Sequence, residues 1–427
     1  MRRLSGAGFA ELRIAAVSPF VDRRHGTERA FAELLERLAA TYHCEIHLYA
    51  ERVEDLAVAP RDADPKQRSG AIYWHKVPSI PGPHILQFIV WIFLNGLLRW
   101  VDFFFRRRTF DLVLSPGINC LDADVVIVHA VFRRLREAAE ERKAGDSASV
   151  GLFRRLHRRT YYWLLTWFER RIYTDPKVSL AAVSQRTAGL LAQYFQPQDL
   201  RVIPNGVDTV QFSPEARRAL RESARQRRSF RDEDFTLLLI GNDWRMKGVG
   251  TILRAMAAMP DLPFKLLVGG SDVSSHFRER AKELGLGDRC QWEPPRPDVI
   301  DFYAAADAYV SPTLEDSFGL PVLEAMACGL PIITSICAGV SGMIGDGIDG
   351  FVLSDPSDAV SLSRLLREIY ADADLRRRVA GAAVQAAHRW TWDRNAEGVW
   401  QLLQDTAKRN RVIGQGQPDP ESTGIGN

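Results

Sequence analysis

The stretch SPTLEDSFGLPVLEAMACGLPIITS, residues 311–335, is the most informative part of the sequence for both the fold class and the site. Its first residues end a short apolar strand, and a loop with two neighbouring acids, Glu315 and Asp316, follows. The segment 317–321 then leads into a helix, because the proline at its end suits a first helical turn. Glu324 lies in that first turn. The pattern predicts that acidic side chains and a helix N-terminus meet at the carboxyl end of a strand.

This loop and helix predict a ligand that carries phosphate. The backbone amides and the dipole at a helix N-terminus form a ready site for an anion. The alternative is an ordinary strand–turn–helix connection with solvated acids. The sequence has no G-x-x-x-x-G-K-[ST] motif, which excludes ordinary P-loop chemistry. The segment GDGIDG at 345–350 is followed by an apolar run and opens no helix, so it does not predict a dinucleotide site.

Strand-like apolar runs alternate with helical stretches along most of the chain. The runs are 12–17, 45–49, 110–115, 124–129, 178–183, 236–241, 264–270, 308–312 and 331–334. This alternation is typical of parallel sheets covered by helices on both faces. The predicted fold class is therefore α/β, with two Rossmann-like, doubly wound parallel-sheet domains at 1–205 and 206–388. Because such sheets bind ligands at the carboxyl ends of their strands, we expect the domains to face an interdomain cleft.

Composition narrows the class of protein. The chain has 427 residues, 46% hydrophobic and 26% charged, which is ordinary globular composition and excludes a disordered or disulfide-stapled protein. A net charge of +3 gives no electrostatic argument for nucleic acid. The cysteines form no C-x-x-C pair and no zinc spacing, so we expect reduced thiols, a cytoplasmic protein and no metal; they are Cys44, Cys120, Cys290, Cys328 and Cys337. The first residues include no apolar region of signal-peptide length, so secretion is not expected.

Residues 85–105 form an apolar, aromatic stretch with more than one interpretation. Arg99 and Asp102 interrupt it and share one side of a helix. One interpretation is a core helix between two strands. The other is a helix that also presses aromatic side chains into a membrane interface, with arginines against anionic headgroups. The polar interruptions disfavour a true membrane span.

The stretch 311–335 resembles glycosyltransferase family 4, whose members have the GT-B fold. The family signature is an acidic residue, seven further residues and then Glu, within E-x-F-G-x-x-x-x-E-A-x-A-x-G. Here Asp316 is followed by seven residues and Glu324, and then by Ala-Met-Ala-Cys-Gly at 325–329. The first acid is Asp where the family more commonly has Glu. The neighbouring Glu315 is the alternative carboxylate for that role.

Further segments resemble the same family in the same order. They are HGTER at 25–29, where Gly26 is the one glycine of the family's Gly-Gly loop, and the segments 181–191, 202–214, 241–255 and 295–313. The resemblance covers roughly residues 12–410. It implies that 1–205 is the acceptor-side domain and that 206–388 binds the nucleotide sugar. It also implies that a helix at 389–412 returns to the N-terminal domain, and the Gly- and Pro-containing tail 413–427 is expected to be disordered.

The resemblance implies a role for each candidate residue. Lys247 would hold the leaving diphosphate, Glu324 would bind ribose hydroxyls, and Asp316 would fix the donor sugar. His129 would orient the sugar near the reacting carbon, although a lone histidine at a strand end is usually structural. These four are the candidate catalytic residues. The candidate donor-binding residues are Arg245, for which a solvated arginine is the alternative, and Gly26, Glu315, Ser317, Phe318, Gly319 and Leu320.

The implied function is retaining transfer of a hexose-type sugar from a UDP- or GDP-linked donor to a glycan or lipid-linked acceptor, in synthesis of cell-envelope polysaccharide or glycolipid. No cofactor and no metal ion are expected, because cationic side chains and a helix N-terminus would stabilise the leaving diphosphate. The alternatives are a non-catalytic nucleotide-sugar-binding scaffold and a GT-B epimerase or phosphorylase. No nucleic-acid partner is expected.

Arginine dominates the basic residues, since only eight of 56 Lys+Arg are Lys. Many arginines fall between residues 106 and 171, in the half that the resemblance assigns to the acceptor. We expect a local basic face on the protein. It would suit an anionic acceptor or the anionic lipids on the inner side of the cell membrane. A solvated face is the alternative. The residues are Arg106, Arg107, Arg108, Arg133, Arg134, Arg136, Arg142, Arg154, Arg155, Arg158, Arg159, Arg170 and Arg171.

Overall fold

Two parallel sheets organise the computed structural model, which describes residues 12–60, 70–106, 109–143 and 152–415. The contacts between residues divide the chain into two units. The first contains the chain through Ala182, the segment Ala188–Ile203 and the chain from Ala396 onward. The second contains Val183–Thr187 and Pro204–Asn395. Each unit is described below by itself.

The first unit is built on a seven-stranded parallel sheet with the order β5-β3-β1-β6-β7-β8-β9. The order reverses between β1 and β6, which both pair with parallel neighbours. A separate two-stranded sheet joins β2 and β4. The strands are β1 (Arg13–Val17), β2 (Phe20–Val21), β3 (Glu45–Ala50), β4 (Arg52–Val53), β5 (Ile72–Lys76), β6 (Leu112–Ser115), β7 (Val125–Val128), β8 (Ser179–Ala182) and β9 (Asp199–Val202).

Helices follow most of these strands, as the apolar periodicity predicts. They are α1 (Gly26–Tyr42), α2 (His84–Arg106), α3 (Phe132–Lys143), α4 (Leu152–Tyr173) and α5 (Gln185–Tyr194). In α1, Phe31, Leu34, Leu35 and Leu38 all point into the core because they recur at helical spacing. The strand residues of β1, β7 and β8 are almost entirely apolar, which suits strands buried on both faces of a parallel sheet.

The helix α2 has an unusual distribution of side chains. Its polar residues Asn95, Arg99 and Asp102 are buried against the unit. Arg99 binds both carboxylate oxygens of Asp122 at 2.5 and 2.7 Å, and the Tyr49 hydroxyl donates to Asp102 at 2.6 Å. In the part of the chain that the structure describes, α2 is the one helix long and apolar enough to cross a membrane. The polar interruptions seen in the sequence therefore hold α2 to the sheet.

The last helix, α13 (Trp392–Gln415), belongs to the first unit from Ala396 onward. Its Trp400 ring stacks on Tyr42 with centroids 5.0 Å apart, and its Thr406 hydroxyl lies 2.7 Å from that of Ser179. Asn410 donates to Asp124 at 2.8 Å. The helix continues to Gln415, so residues 413–415, which the sequence assigned to a disordered tail, are helical; the following Gly and Pro residues are better helix breakers. Residues 416–427 lie outside the described residues.

The second unit is built on a six-stranded parallel sheet with the order β12-β11-β10-β13-β14-β15. Numbered from its first strand, this is the order 3-2-1-4-5-6 of a Rossmann-like domain, with the reversal between β10 and β13. The strands are β10 (Phe235–Ile240), β11 (Phe264–Gly269), β12 (Cys290–Glu293), β13 (Ala308–Ser311), β14 (Ile332–Ser335) and β15 (Phe351–Leu353). The helices are α6 (Pro214–Gln226), α7 (Val249–Ala257), α8 (Ser275–Glu283), α9 (Ile300–Ala305), α10 (Leu320–Ala327), α11 (Ala359–Ala371) and α12 (Ala373–Ala387).

The sequence predicts a seam or a surface helix for the Arg-rich stretch 215–234, and the structure shows features of both. Arg225 and Arg228 are buried, and Arg225 donates to the Ala305 carbonyl at 3.2 Å. Arg228 binds Glu293 at 2.7 Å and Asp301 at 2.8 Å. These arginines fasten α6 and the turn after it to α9 and β12, since guanidinium groups can satisfy several acceptors at once. The stretch is thus a surface helix on its outer side and an arginine seam against α9 on its inner side.

Four strands of the two main sheets were not predicted from the apolar runs in the sequence. They are β5, β9, β12 and β15, which are short or contain polar and charged residues. All four lie toward the edges of their sheets, where one side is open and the apolar signal is weaker. Of the arginines expected to form a basic face, Arg107 and Arg108 lie outside the described residues. So do the side chains of Arg106, Arg142, Arg154, Arg155 and Arg158.

Candidate functional site

The reversal of strand order in the second unit places two loops side by side. One follows β10 and contains Lys247, and the other follows β13 and contains Asp316. A crevice forms at such a reversal because the connections from the two neighbouring strands leave toward opposite faces of the sheet. The sequence stretch that decided the fold therefore lies where a Rossmann-like domain binds ligands.

The loop after β10 is held by a buried tryptophan. The Trp244 indole donates to the Gly241 carbonyl at 2.8 Å, and its backbone amide donates to Asp272 at 2.7 Å. Asn242 accepts hydrogen bonds from the backbone amide and the hydroxyl of Ser271, at 2.9 and 2.8 Å. These contacts fix a compact loop that ends at α7.

The two loops are joined through their backbones. The Met246 carbonyl accepts from the Thr313 hydroxyl at 2.9 Å and from the Leu314 amide at 2.7 Å. Gly248 adopts φ +84°, and a Cβ there would overlap the carbonyl oxygen of Pro312. Only glycine permits this approach without a shift of the backbone. The position of Lys247, between Met246 and Gly248, is therefore fixed relative to the acidic loop.

Lys247 and Asp316 form an ion pair at the junction of the loops. The Lys247 ammonium donates to Asp316 Oδ2, and both side chains are mostly buried. The other oxygen, Asp316 Oδ1, accepts from the Phe318 amide at 3.3 Å. An ammonium has three N–H donors, so Lys247 can hold Asp316 and phosphate oxygens at the same time. Asp316, rather than its neighbour Glu315, faces Lys247.

The helix α10 begins directly after this pair. Gly319 caps it with φ +98°, a left-handed conformation that favours glycine, and Pro321 occupies its first turn. The Val340 amide donates to the Phe318 carbonyl at 2.7 Å, and the Gly339 amide donates to the Asp316 carbonyl at 2.9 Å. These two hydrogen bonds hold the loop 316–320 in place against residues 339 and 340. The amides at the start of α10 are available to an anion beside Lys247.

Glu324 lies in the first turns of α10 and is buried. The Tyr303 hydroxyl donates to its Oε2 at 2.6 Å and lies 3.2 Å from the Pro321 carbonyl. Burial and the neighbouring Glu324 carboxylate raise the pKa of Tyr303 well above its ordinary value, so the hydroxyl stays a donor. Arg217 of α6 donates to the Tyr303 carbonyl at 3.2 Å. The arginine seam therefore positions α9, and α9 positions Glu324.

Glu315 and Ser317 have partners of a different kind. Arg186 binds Glu315 in a bidentate ion pair, with distances of 3.3 and 2.8 Å. The Ser317 carbonyl accepts from the hydroxyls of Ser184 and Thr187, at 2.7 and 3.2 Å. These contacts anchor the outer side of the loop. They favour Asp316 over Glu315 for contact with a donor.

Gly26 lies at the N-terminus of α1 in the first unit. Asp22 is buried and accepts from the amides of Arg24 and His25, at 2.8 and 3.0 Å, and lies 3.0 Å from the His25 ring. Burial alone would raise the pKa of Asp22, but these hydrogen bonds hold it below its ordinary value. Asp22 thus shapes the turn before Gly26, a role that sequence reasoning did not assign.

His129 follows β7 directly, at the carboxyl end of the strand, and is half-buried. The helix after it, α3, is held by Glu169 of α4. The carboxylate of Glu169 accepts from the amides of Phe132 and Arg133, at 2.5 and 2.9 Å. Because these amides lie only three and four residues beyond His129, Glu169 restricts where the histidine can stand.

Glu169 makes stability depend on pH. Burial raises its pKa to about 7, although the two amides act in the opposite direction. The folded chain therefore binds this proton more tightly than the unfolded chain. Its contribution is fully present below the ordinary pKa of 4.5 and is lost as pH rises to about 7.

We expect Glu169→Gln to reduce the fall in unfolding free energy between pH 4.5 and 7, because the amide cannot titrate. Urea denaturation at several pH values measures this slope. Glu397→Gln, at an exposed position of α13 in the same unit, is the control and should keep the slope of the wild type. An unchanged slope in Glu169→Gln would show that Glu169 titrates normally.

The remaining candidates stay predictions. Arg245 is exposed on the loop after β10, two residues before Lys247. Leu320, the first residue of α10, is buried, and its part in donor binding would be through its backbone amide. Among the described residues, no group of three or more His, Cys, Asp or Glu side chains could hold a metal ion.

Sequence reasoning brought Lys247, Asp316, Gly319 and Glu324 to one place but missed their supports. Tyr303 lies in the family-like segment 295–313 and Arg186 in the segment 181–191. Neither residue was singled out, because nothing in a linear pattern tells which side chain of a segment turns toward a distant loop. Asp272 and Arg217 lie outside any motif.

Solved structures similar to this chain share its fold. WaaG, described as a glycosyltransferase involved in lipopolysaccharide biosynthesis, is 22% identical with a TM-score of 0.72 over 91% of this chain and 99% of WaaG. Sucrose-phosphate synthase from Thermosynechococcus elongatus is 20% identical with a TM-score of 0.72, over 95% and 100%. HepE from Anabaena, solved in complex with UDP-glucose, is 16% identical with a TM-score of 0.67, over 92% and 100%. The predicted α/β fold of the GT-B class, with two Rossmann-like parallel-sheet domains, is confirmed.

Curated relatives match over part of the chain. D-inositol 3-phosphate glycosyltransferase from Salinispora arenicola is 30% identical over 55% of this chain and 56% of that protein. The protein of the same name from Acidothermus cellulolyticus is 31% identical over 51% and 50%. The chain thus spans about half the length of the curated relatives that it matches.

Two family models match in succession. The model described as Glycosyltransferase Family 4 matches residues 24–211, which include Gly26 and His129. The model described as Glycosyl transferases group 1 matches residues 221–386, which include Lys247, Asp316 and Glu324. Between them the two models cover every strand of the two main sheets except β1 (Arg13–Val17). The chain belongs to glycosyltransferase family 4.

Proposed function

We propose that this chain transfers a hexose-type sugar from a UDP- or GDP-linked donor to an acceptor, with retention at the anomeric carbon. One observation carries the proposal. Lys247, Asp316, the N-terminus of α10 and Glu324 converge at the strand reversal of the second unit. This set supplies a cation and backbone amides for a diphosphate and carboxylates for hydroxyl groups, which are the two chemistries of a nucleotide sugar.

The diphosphate would lie between Lys247 and the amides at the start of α10. As the bond from the anomeric carbon to phosphate breaks, negative charge grows on the leaving oxygen. Fixed donors that are already in place stabilise that charge without reorganisation. Arg245, exposed on the same loop, would add a second cation. These groups do what a divalent cation does in other transferases, so we propose that the reaction needs no metal or other cofactor.

The two carboxylates would have separate tasks. Glu324 is held from one side by Tyr303, so its orientation is set before a ligand arrives, and its oxygens suit the two ribose hydroxyls. Asp316, with the amides of Phe318 and Gly319, would bind hydroxyls of the donor sugar. His129 and Gly26, in the first unit, would orient the sugar and admit the acceptor. We assign no protein nucleophile; the leaving phosphate would accept the proton of the acceptor.

The acceptor is proposed to be a glycan or a lipid-linked glycan of the cell envelope. The name of the matched relatives makes a phosphorylated inositol a second acceptor to test, although those relatives match over only about half their length. A cytoplasmic location is also proposed, because all five cysteines are free thiols, which is typical of proteins in a reducing compartment.

The test is release of nucleotide from a panel of UDP- and GDP-sugars, with each acceptor added in turn. We expect one donor to dominate and its nucleotide to be released many times faster with the right acceptor. Product analysis by NMR should show the anomeric configuration of the donor, and EDTA should leave the rate unchanged. Tight donor binding with no turnover against any acceptor would favour the non-catalytic scaffold. Inverted product would contradict retention.

A further inference from the structure

The helix α2 exposes its apolar side and buries its polar side, which is the reverse of an ordinary surface helix. From Leu86 to Phe105 every exposed residue is apolar, and the helix buries its polar residues instead. Phe93 is 66% exposed and Phe104 is 58% exposed, whereas Asn95 is 0% and Asp102 3% exposed. The exposed residues recur every three or four positions, so most of them form one stripe. The members are Leu86, Ile89, Phe93, Leu97, Trp100, Phe103, Phe104 and Phe105.

Polar contacts on the inward face of α2 fix the orientation of the helix about its axis. Arg99 donates to the Asn95 side chain at 3.0 Å and binds Asp122 in a bidentate pair. Asp102 accepts from Tyr49 at 2.6 Å. Rotating the helix to bury its aromatic stripe would break this buried network and leave charges without partners. The outward orientation of the stripe is therefore built into the fold.

A neighbouring helix extends the same surface. Phe88 of α2 packs edge-on against Phe168 of α4, with ring centroids 5.2 Å apart. Trp167 contacts Phe168 with centroids 5.0 Å apart and is exposed, as is Trp163 one turn earlier. Arg159 and Arg170 are exposed and lie on the same side of α4, since 159, 163, 167 and 170 follow helical spacing. Two tryptophans thus stand between two arginines beside the stripe.

We propose that the stripe on α2 and the Trp–Arg side of α4 form a docking surface for an anionic lipid leaflet. Apolar and aromatic side chains would enter the boundary between headgroups and acyl chains, and the arginines would contact anionic headgroups. Exposed apolar patches of this extent are uncommon on proteins that stay in water. The stripe covers about 30 Å at 1.5 Å per residue, enough for a helix to lie along a membrane surface.

The charge of the bordering arginines and the buried contacts of α2 favour a lipid leaflet over a second copy of the chain and over a membrane span. The arginines that border the tryptophans carry one sign, which complements anionic headgroups and would repel the same border on a second copy of the chain. A span across the bilayer would need α2 to leave the sheet and give up the contacts of Arg99 and Asp102. The surface therefore lies on a leaflet and does not cross it. The inference is independent of the donor and acceptor proposed above.

The experiment is cosedimentation of the full chain with vesicles of phosphatidylcholine alone or mixed with phosphatidylglycerol. We expect strong binding to the mixed vesicles, weakened by salt, and much less to the neutral ones. Phe93→Gln, Trp100→Gln and Phe104→Gln combined should weaken binding at least tenfold. Val360→Gln, at an exposed apolar position of α11 in the second unit, should bind like the wild type. Circular dichroism reports whether each variant folds.

A second variant, Trp163→Gln with Trp167→Gln, keeps the test open if the triple variant does not fold, and should also lose binding. Equal binding of the folded variants and the wild type would overturn the proposal. So would equal binding to neutral and anionic vesicles, or bound protein that resists extraction by alkaline carbonate, which indicates a span. Sedimentation velocity without vesicles tests whether the surface instead binds a second copy of the chain. A wild-type dimer that the triple variant converts to monomer, with no vesicle binding, would assign the surface to a second copy.

Discussion

Lys247→Met is expected to lower the turnover number by about 10² to 10³-fold, the usual cost of removing one fixed group that stabilises charge in a transition state. Lys247 is the cation that the structure holds beside Asp316 and the start of α10. Methionine has a similar length and no charge, so it removes the cation while filling most of the space. Steady-state kinetics with the donor identified by the nucleotide-sugar panel measures the loss.

The control for this variant is Lys282→Met, at an exposed position of α8 in the same unit. It makes the same chemical change without touching either loop, and we expect wild-type turnover. Thermal denaturation of both variants shows whether Lys247→Met has cost stability through Asp316. A Lys247→Met protein that folds and turns over at the wild-type rate would remove Lys247 from the site.

Glu324→Gln is expected to lower kcat/KM by about 10- to 100-fold, because a hydrogen bond to a charged group contributes about 1.5 to 3 kcal/mol. The substitution is chosen for the contact with Tyr303. A glutamine carbonyl can still accept from that hydroxyl, so the buried pair keeps its hydrogen bond and the fold is expected to hold. What is lost is the second negative oxygen, which we assign to ribose.

A matched control is Glu279→Gln, at an exposed position of α8. Kinetics should separate the effect of Glu324→Gln into a higher KM for the donor and a lower kcat. A loss confined to kcat, with unchanged donor affinity, would contradict the assignment of Glu324 to ribose. The residue would then act on the reacting part of the donor.

Much of this arrangement follows from local sequence. The apolar run before Pro312, the acids after it and the glycine and proline at 319 and 321 predict a strand, a loop and a helix start, and all three are present. Local rules suffice because a cap residue and a first-turn proline act within a few residues of themselves. The alternation of strands and helices likewise predicts parallel sheets.

The supports of the site could not be predicted in the same way. Tyr303 reaches Glu324 across 21 positions, and Arg186 reaches Glu315 across 129. Such contacts depend on the order of strands in the sheet, which determines which loops become neighbours. A run of apolar residues fixes that a strand exists but does not fix its place in the order. The reversal between β10 and β13 is what brings Lys247 to Asp316.

Two open interpretations of the sequence have a common cause. The Arg-rich stretch 215–234 could be a seam or a surface helix by sequence. Arg225 and Arg228 are buried because Asp301, Asp307 and the Ala305 carbonyl bind them. The aromatic residues of α2 could belong to a core helix or to an interfacial helix by sequence, and most of the largest are exposed. In both helices residue type alone leaves the environment of the side chains open, and it is determined by the partners elsewhere in the same unit.

Isothermal titration with UDP and with GDP measures whether the second unit binds a nucleoside diphosphate through Lys247 and Glu324. We predict that one of the two nucleotides binds to the wild type without added metal. Lys247→Met and Glu324→Gln should each weaken that binding at least tenfold, while Lys282→Met and Glu279→Gln leave it unchanged. Failure of both nucleotides to bind at millimolar concentration, or equal binding by all four variants, would contradict the account.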